Sequence, residues 1–192
     1  MEIIEIISYN QESNTYVVKN GETAVIIDCG ASVEKLKNLG ITTVSAILLT
    51  HGHFDHIVYL KDYINEFNCK VYASENIVEK LQDASKNLSQ DFYHTPFKFD
   101  KKTVGKVSLV SNETLEISGI KIECVTLPGH CECQMGYIID NKLFSGDVIF
   151  SHCIGRYDLY DSSFLKVRKS LEKVKNLNVE KIYPGHGMPF NK

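Results

Sequence analysis

The sequence predicts an α/β protein in which two β-sheets pack together with helices on the outside, and three observations carry that prediction. Strand-like segments open the chain, a helix and a mixed alternation follow, and the same succession returns in the second half. Residues 44–49 form an apolar run of the kind found in the middle of a sheet covered on both faces. Turn signals, Asn20-Gly21, Ser118-Gly119 and Asp140-Asn141, sit between paired strand-like runs as hairpins require.

Taken in order, residues 3–7 are apolar with one acid, 16–18 are β-branched and aromatic, and 24–28 are an apolar run ending in Asp28. Ser32 is placed to cap a short helix through Leu39, which Gly40 stops. The strand at 44–49 runs straight into Thr50 and a cluster of histidines. Ile57, Leu60, Ile64 and Phe67 recur at helical spacing, so 57–67 reads as a helix. A short strand at 70–73 precedes a second helix that starts at Ser74 and runs to about residue 88. Residues 90–102 (QDFYHTPFKFDKK) are polar and aromatic with Pro96 inside them, a loop. Hairpins follow at 115–117 with 121–126, and at 135–139 with 143–145. Residues 161–177 form the clearest amphipathic helix, with Phe164, Val167, Leu171 and Val174 on one face. A last short strand at 181–183 leads into Pro184-Gly185-His186.

The 192 residues suit one domain, and with no linker-like or low-complexity stretch the whole of 1–192 reads as one unit. A net charge of −3 without a basic block gives no footprint for nucleic acid or an anionic membrane, so the expected partner is a small-molecule substrate. The first residues, MEIIEIISYNQES, mix acids with isoleucines and lack the basic leader of a secretory signal, and no apolar run could span a bilayer, so a cytoplasmic protein is expected. In that compartment the six cysteines are expected as reduced thiols. Oligomeric state is not written in the sequence.

The chemistry concentrates in Thr50-His51-Gly52-His53-Phe54-Asp55-His56, where three of the seven histidines and a carboxylate stand between a buried strand and a helix. Imidazole and carboxylate together suit zinc and neighbouring divalent metals. Alternation points His51 and His53 the same way, and Asp55 and His56 follow where the chain turns. A merely polar, histidine-rich loop is the competing reading, and three later segments weigh against it. Pro128-Gly129-His130, Gly146-Asp147 and Pro184-Gly185-His186 each end a predicted strand with one ligand-type residue beside a glycine that permits close backbone approach.

This combination of H-x-H-x-D-H, PGH, GD and a late PGHG resembles the metallo-β-lactamase superfamily, within it the branch of glyoxalase II (hydroxyacylglutathione hydrolase) and its short single-domain relatives. The stretch Gly146-Asp147-Val148-Ile149-Phe150 followed by Gly155-Arg156-Tyr157-Asp158-Leu159 is similar to the same short proteins. The resemblance implies an αβ/βα four-layer sandwich with two divalent metal ions, zinc foremost and iron or manganese otherwise. It implies that His51, His53 and His130 hold the first ion, Asp55, His56 and His186 the second, and that Asp147 bridges them. The implied activity is hydrolysis of a small thioester or ester by a hydroxide shared between the ions, oriented by Asp55 as a catalytic residue.

Arg156, one of two arginines in the chain, either binds a substrate carboxylate bidentately or pairs internally with Asp158. Cys131-Glu132-Cys133-Gln134 stands where the family often has Thr-Pro-Gly-Ser, and Val58-Tyr59 replaces its Gly-Gly. The two thiols are either added ligands or small residues filling a turn. Six residues follow His186, so a glutathione-gripping C-terminal helical domain is not expected, which counts against glutathione thioesters. His94 and His152 lack a motif partner. Competing activities on the same fold are a mononuclear iron persulfide dioxygenase and a lactone or phosphodiester hydrolase. A structural or metal-storage protein would not need so complete a ligand set.

Overall fold

The computed structural model describes residues 1–9 and 12–192, so part of the first expected turn, at 10 and 11, lies outside the described residues. Two six-stranded sheets form the frame. In the first sheet β1 (Glu2–Ile6), β2 (Thr15–Asn20), β3 (Thr23–Ile27), β4 (Val44–Leu48), β5 (Lys70–Ser74) and β6 (Val107–Val110) lie side by side in chain order. The first three run antiparallel, and β3 through β6 run parallel. Parallel neighbours need crossovers. These contain α1 (Val33–Asn38), then α2 (Phe54–Ile57) with α3 (Leu60–Phe67), then α4 (Ile77–Gln82), α5 (Ser89–Phe92) and α6 (Lys101–Val104).

The second sheet is built from β7 (Thr114–Ile117), β8 (Ile120–Thr126), β9 (Met135–Ile139), β10 (Lys142–Gly146), β11 (Lys181–Pro184) and β12 (Phe190–Asn191). It has the order β12-β11-β10-β9-β8-β7, with α7 (Phe164–Asn176) making the parallel crossover from β10 to β11. Its hairpin turns hold Ser118 and Gly119 at φ 50° and 73°, and Asp140 and Asn141 at φ 50° and 59°. Two consecutive positive φ values are the turn that matches strand twist, and these residue types tolerate them.

Period-two alternation divides the apolar residues among three cores. Val25, Ile27, Ala46 and Leu48 meet Tyr137, Ile139 and Phe144 between the sheets. Ala24, Ile26 and Ile47 turn the other way onto Leu36, Leu60, Tyr63 and Leu81 of the first helical layer. Leu143 and Ile182 of the second sheet pack outward with Val174 of α7. The result is the expected helix–sheet–sheet–helix sandwich, and β4 reads as an apolar run because helices cover one face and the other sheet the second. Leu36 alone, wholly buried, gains roughly 1.5–3 kcal/mol from leaving water. Among the described residues no helix is long and apolar enough to cross a membrane.

Helix boundaries depart from the periodic reading where side chains or distant backbone capture the chain. The helix expected over 74–88 is confined to Ile77–Gln82, because the Asp83 carboxylate accepts from Ser85 N at 2.9 Å and turns the chain. The helix expected over 57–67 starts earlier and is split in two. There Cys29 N donates to His56 O at 2.8 Å and Tyr59 N to Cys29 O at 3.2 Å, which ties this segment to the end of β3. The expected loop at 90–102 contains the end of α5 and the start of α6, while β6 and β12 went unforeseen.

Candidate metal centre

Every candidate ligand sits just beyond a strand, where the two sheets' edges meet. His51 and His53 follow β4, and Asp55 and His56 lie on α2. His130 follows β8, Asp147 follows β10 and His186 follows β11. These seven residues come together as three overlapping groups whose ligand-type atoms lie within 4.8 Å of one another: His51, His53 and His130; His51, His56 and Asp147; Asp55, His56 and His186.

Three of the imidazoles have one ring nitrogen occupied, which leaves the other free. His51 Nδ1 lies 3.1 Å from Thr50 Oγ1, which itself donates to Asp28 Oδ2 at 2.7 Å. His56 Nδ1 meets Asp28 Oδ2 at 2.8 Å, and His130 Nδ1 donates to Arg156 O at 2.9 Å. Engaging Nδ1 in this way orients each ring and turns its Nε2 inward. His51 Nε2 and His130 Nε2 then converge on His53 Nδ1, at 3.1 and 2.9 Å. On the other side His186 Nε2 lies 3.0 Å from Asp55 Oδ2 and 3.5 Å from Asp147 Oδ2. Asp147 stands between the two groups, with Oδ2 3.6 Å from His130 Nε2 and Oδ1 3.3 Å from His56 Nε2.

Electrostatics favours a cation here. Burial, with help from neighbouring histidines, pushes His51 and His53 well below the ordinary histidine range, so both are neutral and ligand-competent at pH 7. Burial also lowers His130. For His56 burial works downward, but Asp55, Asp28 and Asp147 outweigh it and raise the imidazole well above its usual value. His186 is likewise pushed up to about 10, with Asp147 and Asp55 outweighing burial. Burial would raise Asp147, yet His186 and His56 hold it well below the carboxylate range. Every ion-pair partner described for Asp28, Asp55 and Asp147 is a histidine, so imidazolium is the cation available to three buried carboxylates. His56 Nε2 and Asp147 Oδ1 are buried without a hydrogen-bond partner. Orphaned polar atoms are costly, and a divalent ion would satisfy both, so these residues fit such a group.

The glycines explain how the chain comes so close. A Cβ on Gly185 would fall 2.1 Å from Asp147 Oδ1, and one on Gly155 would fall 1.7 Å from Asp147 O. Residues missed in the sequence support the ligands. Asp28, in a left-handed turn at φ 59°, accepts from Thr50 N at 2.7 Å as well as from Thr50 Oγ1 and His56. The one signal for it was an acid closing an apolar strand. Asn14 Nδ2 donates to Pro184 O at 3.1 Å and Gly187 O at 2.8 Å, and Tyr16 Oη donates to Pro184 O at 2.6 Å, which pins the loop carrying His186. Nothing in the local sequence marked Asn14.

The remaining residues singled out by sequence are not among the ligand groups. Of the two readings for Arg156, the pair with Asp158 is present: Nε to Oδ1 is 2.9 Å and Nη2 to Oδ2 is 3.0 Å. Cys131 and Cys133 are buried with sulfurs 3.4 Å apart, and among the described residues neither joins a ligand group. Their side chains fill the core under the first helical layer. His94 and His152 are exposed. A cavity of about 680 Å³ adjoins the cluster, and His53, Asp55, His130, Asp147 and His186 line it.

Comparison with known proteins agrees with this arrangement. A probable metallo-hydrolase of Methanocaldococcus jannaschii is 30% identical, over 96% of this chain and 92% of its own length. An atrochrysone carboxyl ACP thioesterase of Cryptosporiopsis is 26% identical, over 94% of this chain and 51% of its own. The crystal structure of the B3 metallo-beta-lactamase BLEG-1 matches with a TM-score of 0.88 at 30% identity, covering 99% of this chain and 94% of that one. A protein solved in a di-iron-bound form matches with a TM-score of 0.84 at 26% identity, covering 98% and 94%. The family model for the metallo-beta-lactamase superfamily spans residues 10–186. With that match, the two-sheet frame and the histidine–aspartate cluster at its edge, the chain belongs to the metallo-beta-lactamase superfamily, as a metallo-hydrolase.

Proposed function

We propose that the cluster holds two divalent metal ions, zinc foremost, and that the protein hydrolyses a small thioester or ester in the adjoining cavity. The carrying observation is the position of Asp147, within 3.6 Å of His130 on one side and within 3.3 Å of His56 on the other. In this reading His51, His53 and His130 hold one ion, Asp55, His56 and His186 the other, and Asp147 both. Two ions bound there would supply Lewis acidity and bring the pKa of a shared water towards neutrality. Asp55, which lines the cavity, would orient that water towards a carbonyl carbon. Asp28 and the Arg156 carbonyl hold the imidazoles still, so little reorganisation accompanies the reaction. Support for a thioester comes from the similarity to an ACP thioesterase and from the motifs shared with glyoxalase II-like proteins.

The test is to count metals per chain and to assay S-lactoylglutathione, simple thioesters, lactones and phosphodiesters. Two ions per chain with thioester or ester turnover are expected, and His53→Ala should lower both metal content and turnover. One iron per chain with oxygen consumption on a persulfide, or undiminished turnover in His53→Ala, would overturn the reading.

A further inference from the structure

Away from the metal-ligand residues the lining of the cavity is apolar. Phe54, Leu88, Phe92, Phe150, Ile154 and Leu159 form this wall, drawn from three separate segments. The one charged side chain among the described lining residues outside the metal cluster is Arg156. Its Nε and Nη2 are both taken by the Asp158 carboxylate, and its guanidinium lies 5.9 Å from the centre of the Phe92 ring. A substrate carboxylate would meet a guanidinium whose charge Asp158 already compensates, with Nη1 and the second Nη2 hydrogen left to bind it. A hydroxyl along the acyl tail would leave water for a wall of rings and aliphatic carbons. The volume of about 680 Å³ is more than a two-carbon acyl group fills and lies within the range of drug-sized ligands.

From this lining we propose that the cavity selects a neutral, apolar acyl chain of about four to eight carbons, with Phe92 at the rim as a specificity-determining residue. The inference rests on the hydrolase reading for its scissile bond, though the apolar character of the wall does not. In the reaction the C–S bond of the thioester breaks, water supplies the new hydroxyl of the fatty acid, and its remaining proton leaves on the thiol. The acyl tail stays on the apolar wall while its carbonyl meets the metal-ligand residues. A leaving group bearing carboxylates, such as glutathione, finds in the lining outside the metal cluster one guanidinium, already paired with Asp158.

The test uses the zinc-loaded protein with acyl thioesters of N-acetylcysteamine from acetyl to octanoyl, beside S-lactoylglutathione. Removing each added methylene from water should raise kcat/KM roughly three- to fourfold until the wall is covered. Butyryl and longer substrates should exceed the lactoyl one. Phe92 is half exposed, so Phe92→Ala folds, and it should flatten the chain-length slope. A second arm reads thermal unfolding with millimolar octanamide, which should raise Tm more than acetamide does in the parent and less in Phe92→Ala. A flat or falling profile, or preference for the lactoyl substrate, overturns the apolar-acyl inference while hydrolysis stands. If nothing turns over, the thioester part of the reading fails and octanamide decides: a shift lost in Phe92→Ala supports the apolar wall, and no shift overturns it.

Discussion

Asp28 accepts hydrogen bonds from Thr50 N, from Thr50 Oγ1 and from His56 Nδ1, and through Thr50 it also reaches His51. A carboxylate with acceptor capacity alone suits three donors, whereas an amide would turn an NH2 group towards one of them. Asp28→Asn is therefore expected to keep the fold and to weaken metal binding about 10–100-fold, the usual cost of losing a group that orients a ligand. Competition with a chelator measures this, and unchanged affinity would mean that Thr50 and His56 hold their positions unaided. The ligands themselves were legible because three imidazoles and a carboxylate crowd into residues 51–56 and the other three stand beside glycines. Asp28 was not, because its role depends on a left-handed turn that folds its carboxylate onto residues 22 and 28 positions away. No local pattern encodes that contact.

At the scale of elements, a buried lysine links α4 to the loop that closes the site. Lys80 is 1% exposed, and its Nζ donates to Asp161 Oδ1 at 3.2 Å and to Lys86 O at 3.2 Å. The loop it reaches also supplies Gly155, packed on Asp147 O, and the Arg156 carbonyl that orients His130. Lys80→Met keeps the stem that packs beside Gly52 and removes the charge, which leaves Asp161 without this partner. Denaturant unfolding should show a loss of about 2–3 kcal/mol, under the 3–5 kcal/mol typical of fully buried pairs. The discount reflects Asp161, whose side chain is 22% exposed and can regain water. An unchanged midpoint would show that the pair contributes nothing net. This region was also the least legible part of the fold. Strands β3 and β4 announced themselves by apolar runs, but the expected helix over 74–88 ended at Gln82, where an aspartate turned the chain. Periodicity counts apolar positions and carries no term for a side chain competing with the backbone.

For the molecule as a whole, the decisive fact is how the ligands divide. His51, His53, Asp55 and His56 belong to the half built on the first sheet, and His130, Asp147 and His186 to the half built on the second. The inter-sheet core already joins the halves through Tyr137, Phe144, Ile27 and Leu48. Any ion held by the cluster adds a second clamp at the edge, where Asp28, Asp55 and Asp147 otherwise have imidazolium as their counter-charge. Binding that favours the folded state adds stability by mass action, about 2.7 kcal/mol for each ion present at one hundred times its dissociation constant. In a chain of this length that corresponds to a Tm higher by roughly 5–10 °C per ion. Chelation should therefore lower Tm by at least that amount, and restoring zinc should recover it. His186→Ala should lose part of the metal-dependent increment, and His51→Ala, whose ring stands in two of the three ligand groups, should lose more. Equal Tm with and without chelator would mean that the core alone joins the sheets, and that the cluster's ions serve chemistry without serving the fold.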